Sequence, residues 1–175
     1  AVYIFKKNGN QWIEQQKLVS SDGIQSRGFS KVVAKEDTLF VGARTINDDE
    51  FYRAVAYFFY KEGDEWVEGE KLVVDVDVEE DNFLQSWSYS GDYAALASNY
   101  NVDPAPVHLF RKDDGAWEEV TVVSSPESYN NRYGRAVQLL GNTLFVGAWK
   151  NYYQDSDSIQ TGAVYVYDLD ILLSE

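Results

Sequence analysis

The chain has no cysteine and no methionine among its 175 residues, and a single histidine. Without cysteine it can form no disulfide staple, no thiolate metal site and no thiol nucleophile. His108, standing alone, leaves no histidine pair for a metal and no Ser-His-acid set, so it is read as a structural strand residue. No Gly-rich phosphate loop of the required form is present. No apolar run approaches the ~20 residues of a membrane-spanning helix, and no signal-like segment stands at the amino end. Positive charge is scarce: 15 Lys and Arg face 29 Asp and Glu, a net charge of -14. Such a surface repels a phosphate backbone and an anionic membrane, which argues against nucleic acid as a partner and against membrane insertion, and leaves basic proteins and divalent cations. Methionine is missing even at position 1, where the chain opens inside an apolar strand pattern, Ala1-Val2-Tyr3-Ile4-Phe5. A longer or processed polypeptide is therefore expected.

What the sequence does have is β-forming material. It is 45% hydrophobic and 15% aromatic, with 13 Tyr, 9 Phe and 5 Trp, residue types that fit a pleated, half-buried surface. Three landmarks recur. An apolar strand reads AVYIF at 1–5, AVAYF at 54–58, PVHLF at 106–110 and AVYVY at 163–167, with starts separated by 53, 52 and 57 residues. A Gly-containing turn then leads to Trp12, Trp66 and Trp117, which makes the first two elements a hairpin. The third landmark is a second hairpin, within 30–43, 83–98 and 133–148, turning at Glu36-Asp37, Gly91-Asp92 and Gly141-Asn142.

Each period of about 50 residues thus holds four short strands, the amount of chain in one propeller blade. Strands such as TLFVGA are apolar on consecutive positions, so both their faces must be buried, as happens when blades stack. We expect an all-β chain: a β-propeller segment of four-stranded antiparallel blades, about three repeats long. The repeats run approximately 1–53, 54–105 and 106–162, and a fourth starts at 163–175. Phased by blade, 1–20 is an outer half, 28–74 and 83–123 are complete, and 133–168 supplies three strands. Both ends carry the same AVYxF-type strand, so they cannot complete each other. The expectation is a segment of a larger propeller, or an arc that borrows edges from partners and is prone to associate.

The landmarks resemble the FG-GAP repeats of integrin-like propellers. Gly162-Ala163-Val164-Tyr165-Val166-Tyr167 matches the first element of that repeat, Tyr133-Gly134 stands at the Phe-Gly position, and Gly42-Ala43 and Gly147-Ala148 stand at the Gly-Ala positions. The Pro that follows Gly-Ala in the family is Arg44 and Trp149 here, and the middle repeat has Ala97-Ser98. The resemblance implies an extracellular or cell-surface setting and a binding or adhesive role. It also implies calcium in an Asp-rich loop between the Phe-Gly and Gly-Ala landmarks, but bare turns fill that interval here, so the family's usual calcium site is deleted.

Two acidic stretches remain as cation candidates. Asp75, Asp77, Glu79, Glu80 and Asp81 read as a solvated loop, and Asp155 with Asp157 lacks the full calcium-loop spacing. Trp12, Trp66 and Trp117 recur at one position and are read as architecture, and Trp87 as core. Trp149 opens the longest interblade loop, where Tyr152, Tyr153 and Asp155 join it as candidate ligand-binding residues. The functional expectation is a non-enzymatic scaffold binding protein or carbohydrate, with no cofactor other than calcium at Asp155 and Asp157. The alternatives are a structural subunit of a large complex and a polysaccharide-active propeller enzyme.

Overall fold

The structure is a computed structural model that describes residues 1–21, 29–46, 52–78, 86–97, 106–127, 131–149 and 161–174. Among these residues the chain is nearly all β, with thirteen strands and one single-turn helix. It divides into two compact units, Ala1–Glu79 and Glu80–Glu175. The first unit holds a hairpin of β1 (Val2–Asn8) and β2 (Gln11–Leu18). It also holds a meander of β3 (Phe29–Lys35), β4 (Thr38–Ile46), β5 (Tyr52–Glu62) and β6 (Glu65–Val78). The second holds a four-stranded meander of β7 (Ser86–Ser90), β8 (Tyr93–Ala97), β9 (Val107–Asp113) and β10 (Ala116–Val123). After it comes a three-stranded sheet of β11 (Tyr133–Leu140), β12 (Thr143–Ala148) and β13 (Ala163–Asp168), then α1 (Leu169–Leu172). All pairs are antiparallel, and the described sheets of two, four, four and three strands are open rather than closed on themselves.

The expected turns are where the sequence puts them. Glu36-Asp37, Gly91-Asp92 and Gly141-Asn142 each close a two-residue connection. Gly141 has φ of 57° with nothing within 4 Å of a built Cβ, so backbone conformation and not space selects glycine there. In the three outer hairpins a tryptophan lies directly across from a lysine: Lys7 opposite Trp12, Lys61 opposite Trp66, Lys112 opposite Trp117.

That register corrects the alignment of the second repeat. Matching AVAYF at 54–58 to AVYVY pairs Ala54 with Ala163. The sheets instead place Ala43 opposite Val55 where Ala148 lies opposite Ala163. The N–H of Lys61, Lys112 and Leu169 each donates to the carbonyl of the second turn residue, Asp37, Asp92 and Asn142. The equivalent strand is therefore VAYFF at 55–59, and the counterpart of His108 is Tyr57, not Ala56.

Two further expectations change. The acidic stretch after Leu72 does not begin as a loop: β6 continues to Val78, pairing with Tyr52 and Ala54, because Val-Asp alternation suits a strand. Residues 79–81 lie outside the described residues. Trp12 is exposed rather than part of the packed architecture, whereas Trp66 is half-buried against the first-unit core and Trp87 is buried, both as expected.

In the first unit, Leu39, Val41, Ala43, Val55, Tyr57 and Phe59 form one face of the meander, and Leu18, Val2 and Ile4 of the hairpin pack on it. Gln16 fixes the approach. Its amide nitrogen donates to the Trp66 carbonyl and its oxygen accepts the Trp66 N–H, both at 2.8 Å, so one side chain replaces a pair of ladder bonds. Ser21 adds two hydrogen bonds to the Glu68 carboxylate.

In the second unit, Ala95, Ala97, Val107 and Leu109 pack against Val137, Leu139, Leu144, Val146 and Leu169 in one core. A serine ladder aligns the two sheets. Val137, Leu139 and Gly141 donate their N–H groups to the hydroxyls of Ser86, Ser88 and Ser90 at 2.6, 2.9 and 3.2 Å. Alternate serines on β7 thus take the place of a neighbouring strand along the free edge of β11. After β13, Asp168 caps α1 by accepting from the Asp170 and Ile171 N–H groups, and buried Leu169 anchors the turn in the core.

Candidate functional site

Trp149 follows β12, and its side chain is 54% exposed. It stands over a groove of about 650 Å³ at the β12 to β13 end of the three-stranded sheet, lined also by Arg135, Ala136, Gly147, Thr161, Gly162 and Val164. Local structure explains the groove. Between Tyr133 and Ala136 the β11–β12 register slips, so that Tyr133 faces Ala148 while Ala136 faces Gly147. The bulge carries Gly134 at φ 81° and places Arg135 beside the groove. Gly147 and Ala136 contribute no bulk, which leaves a floor of backbone and small side chains between the tryptophan and Val164.

The lining is predominantly apolar, with Arg135, Thr161 and the indole N–H of Trp149 the described side-chain groups that bring hydrogen bonding or charge. Tyr152, Tyr153, Asp155 and Asp157 lie outside the described residues, so of the sequence-derived site the structure places Trp149 alone. Arg135 and Val164 escaped the sequence reading. The signal that could have found Arg135 is the Tyr133-Gly134 pair, because a Gly just inside a strand marks a bulge.

Two polar clusters lie elsewhere in the second unit. His108 Nδ1 sits 2.8 Å from Glu119 Oε2, on β9 and β10 just where their register slips. The Tyr133 hydroxyl donates to the Tyr167 hydroxyl at 2.8 Å, and buried Asn131 donates its amide N–H to Ser125 and accepts the Tyr133 N–H. Burial, then the Tyr167 hydrogen bond, push the Tyr133 phenol far above its usual range, so it stays neutral. Among the described residues, no three His, Asp or Glu side chains gather in a way that could hold a metal ion. No described helix is long and apolar enough to cross a membrane.

Comparison of the chain with protein-family models, with curated proteins and with solved structures finds no match.

Proposed function

We propose that the four sheets are successive blades of a β-propeller, and that the chain is a non-enzymatic binding module that recognises a protein ligand through the Trp149 groove. The observation that carries this reading is the composition of the groove: an exposed tryptophan and an arginine around a small-residue floor. Tryptophan and arginine are the side chains that most often anchor protein interfaces, since each offers a large contact area with a polar handle. Carbohydrate is the weaker ligand on physical grounds. A sugar presents many hydroxyls that a site must read with converging amides and carboxylates, and the described lining offers Arg135, Thr161 and the Trp149 indole N–H but no side-chain amide or carboxylate. The net charge of -14 favours a basic partner and speeds its encounter.

Selection from a displayed peptide library, with a glycan array run in parallel, tests the reading. Peptides bearing an apolar anchor near basic residues are expected to bind. Trp149→Ala should abolish that binding and leave the melting temperature unchanged, because the side chain is half exposed. Glycans binding in place of peptides would overturn the protein-ligand assignment, and binding that survives Trp149→Ala would overturn the site.

A further inference from the structure

The second unit shows how one sheet seats on the next, and the three-stranded sheet presents the same seat unfilled. In the β7–β10 sheet the seating face is a grid of cross-strand rows: Ser86, Ala97, Val107, then Ser88, Ala95, Leu109, then Ser90, Tyr93, Arg111. It packs on the core side of β11–β13. The turn and ladder registers make the corresponding grid of β11–β13 Ala136, Gly147, Val164, then Gln138, Phe145, Val166, then Leu140, Thr143, Asp168. Val107 and Leu109 are fully buried, whereas their counterparts Val164 and Val166 are 65% and 60% exposed, and Leu140 is 69% exposed.

A surface complementary to that grid exists in the same chain. In the second unit the sheet that receives the seat offers Tyr165 and Tyr167 to the core. Their counterparts on β1, taken from the shared Lys7, Lys112 and Leu169 position, are Tyr3 and Phe5, which are 48% and 51% exposed. The opposite side of β1, with Val2 and Ile4, already packs on the β3–β6 meander. The hairpin is also the basic end of an acidic chain, with Lys6, Lys7 and Lys17 against Glu14 over residues 1–18, and the open grid carries Asp168. The serines of β7 are Ala136, Gln138 and Leu140 on β11, and among the described residues the β1–β2 sheet has two strands, neither in the place of β11.

We propose that the outer face of β11–β12–β13 binds the Tyr3 and Phe5 face of the β1–β2 hairpin of a second copy, so that the chain associates head to tail through a contact of the kind that joins its own sheets. The contact is heterologous, with different surfaces on the two partners, and it closes into a ring or runs on as a filament. Burying Val164, Val166, Leu140, Tyr3 and Phe5 supplies the apolar drive, and the lysines offset the repulsion between two acidic chains.

Sedimentation velocity of the 175-residue chain, from micromolar to submillimolar concentration, tests this. Association should grow with concentration. Val166→Asp and Phe5→Asp should each be monomeric throughout, yet an equimolar mixture of the two should form a dimer, since each keeps the surface the other lacks. Should the aspartates disturb folding, Val166→Thr and Phe5→Ser are expected to weaken association at least tenfold, a loss of about 1.4 kcal/mol, with unchanged melting. An unsubstituted chain that stays monomeric overturns the proposal, as does a mixture that fails to dimerise. Ala136, Gly147 and Val164 belong both to this face and to the groove, but neither substitution touches a groove residue, so peptide binding through Trp149 is measured on the monomeric Val166→Asp chain and failure of association leaves that reading standing.

Discussion

The hexapeptide Thr-Leu-Phe-Val-Gly-Ala occurs twice, at 38–43 on β4 and at 143–148 on β12, in the same place within each meander. Identical residues meet different surroundings. On β4 every residue from Leu39 to Ala43 is buried, and Phe40 meets the Phe58 ring edge-on at 4.8 Å. On β12 burial alternates, with Leu144, Val146 and Ala148 inside while Phe145 and Gly147 are half-buried. A strand written with apolar residues on both faces is suited to a packed layer on each side, and among the described residues β12 is fully covered on one. The difference between the copies is one of context, and it identifies which face of the second unit is unfinished.

Substitutions at the paired positions would break or sharpen that comparison. The largest effect is expected at the phenylalanines. Phe40→Ala should cost about 3–5 kcal/mol as a large-to-small core change, and Phe145→Ala roughly half as much, because part of its ring stays in water in the folded state. Equal losses in denaturant unfolding would mean that the face at Phe145 is covered after all. Next comes the serine ladder. Ser88→Ala strands the buried Leu139 N–H and should cost about 1–3 kcal/mol. Leu140→Ser, at the position equivalent to Ser90, should leave the melting temperature unchanged.

The tyrosine pair gives a smaller effect with a pH signature. Tyr133→Phe removes the hydroxyl bond to Tyr167 and should cost about 0.5–1.5 kcal/mol. Because the folded phenol holds its proton far above the ordinary value, its contribution is complete below the unfolded phenol pKa of about 10 and is lost as pH rises beyond it. Alkaline unfolding of Tyr133→Phe should therefore begin at higher pH than that of the unsubstituted chain, and an identical onset would contradict this. The smallest effect belongs to the exposed Lys6 and Asp64 pair at 3.8 Å, where Lys6→Ala should shift melting by no measurable amount.

Much of this architecture is legible in the sequence, for identifiable reasons. Gly and Asp or Asn at each hairpin end announce the turns, and the recurring Trp announces the outer hairpins, so the grouping of strands into two, four, four and three follows from the repeat. The one-residue offset at Val55 is not legible, because Ala-Val-Ala-Tyr-Phe imitates the other copies while hydrogen bonding to the turn carbonyl of Asp37 sets the true register. The extension of β6 through Asp75 and Asp77 was hidden by charge, which reads as loop until the alternating valines are weighed. Of the candidate site, Trp149 is legible as a departure from its repeat. Arg135 is legible only through Gly134, whose place just inside a strand marks the bulge, and the serine ladder is invisible because small polar residues on a strand carry no periodic apolar signal.

The absence of cysteine allows a direct test of the open face against a silent background. Val166→Cys and Leu109→Cys place single thiols at equivalent positions, one on the exposed grid and one on its buried counterpart. At low protein concentration a thiol reagent should label Val166→Cys at the rate of a free thiol, and label Leu109→Cys only as fast as the unit unfolds. Equal and slow labelling of both would show that the outer face of β11–β12–β13 is covered within the chain, and would contradict the account.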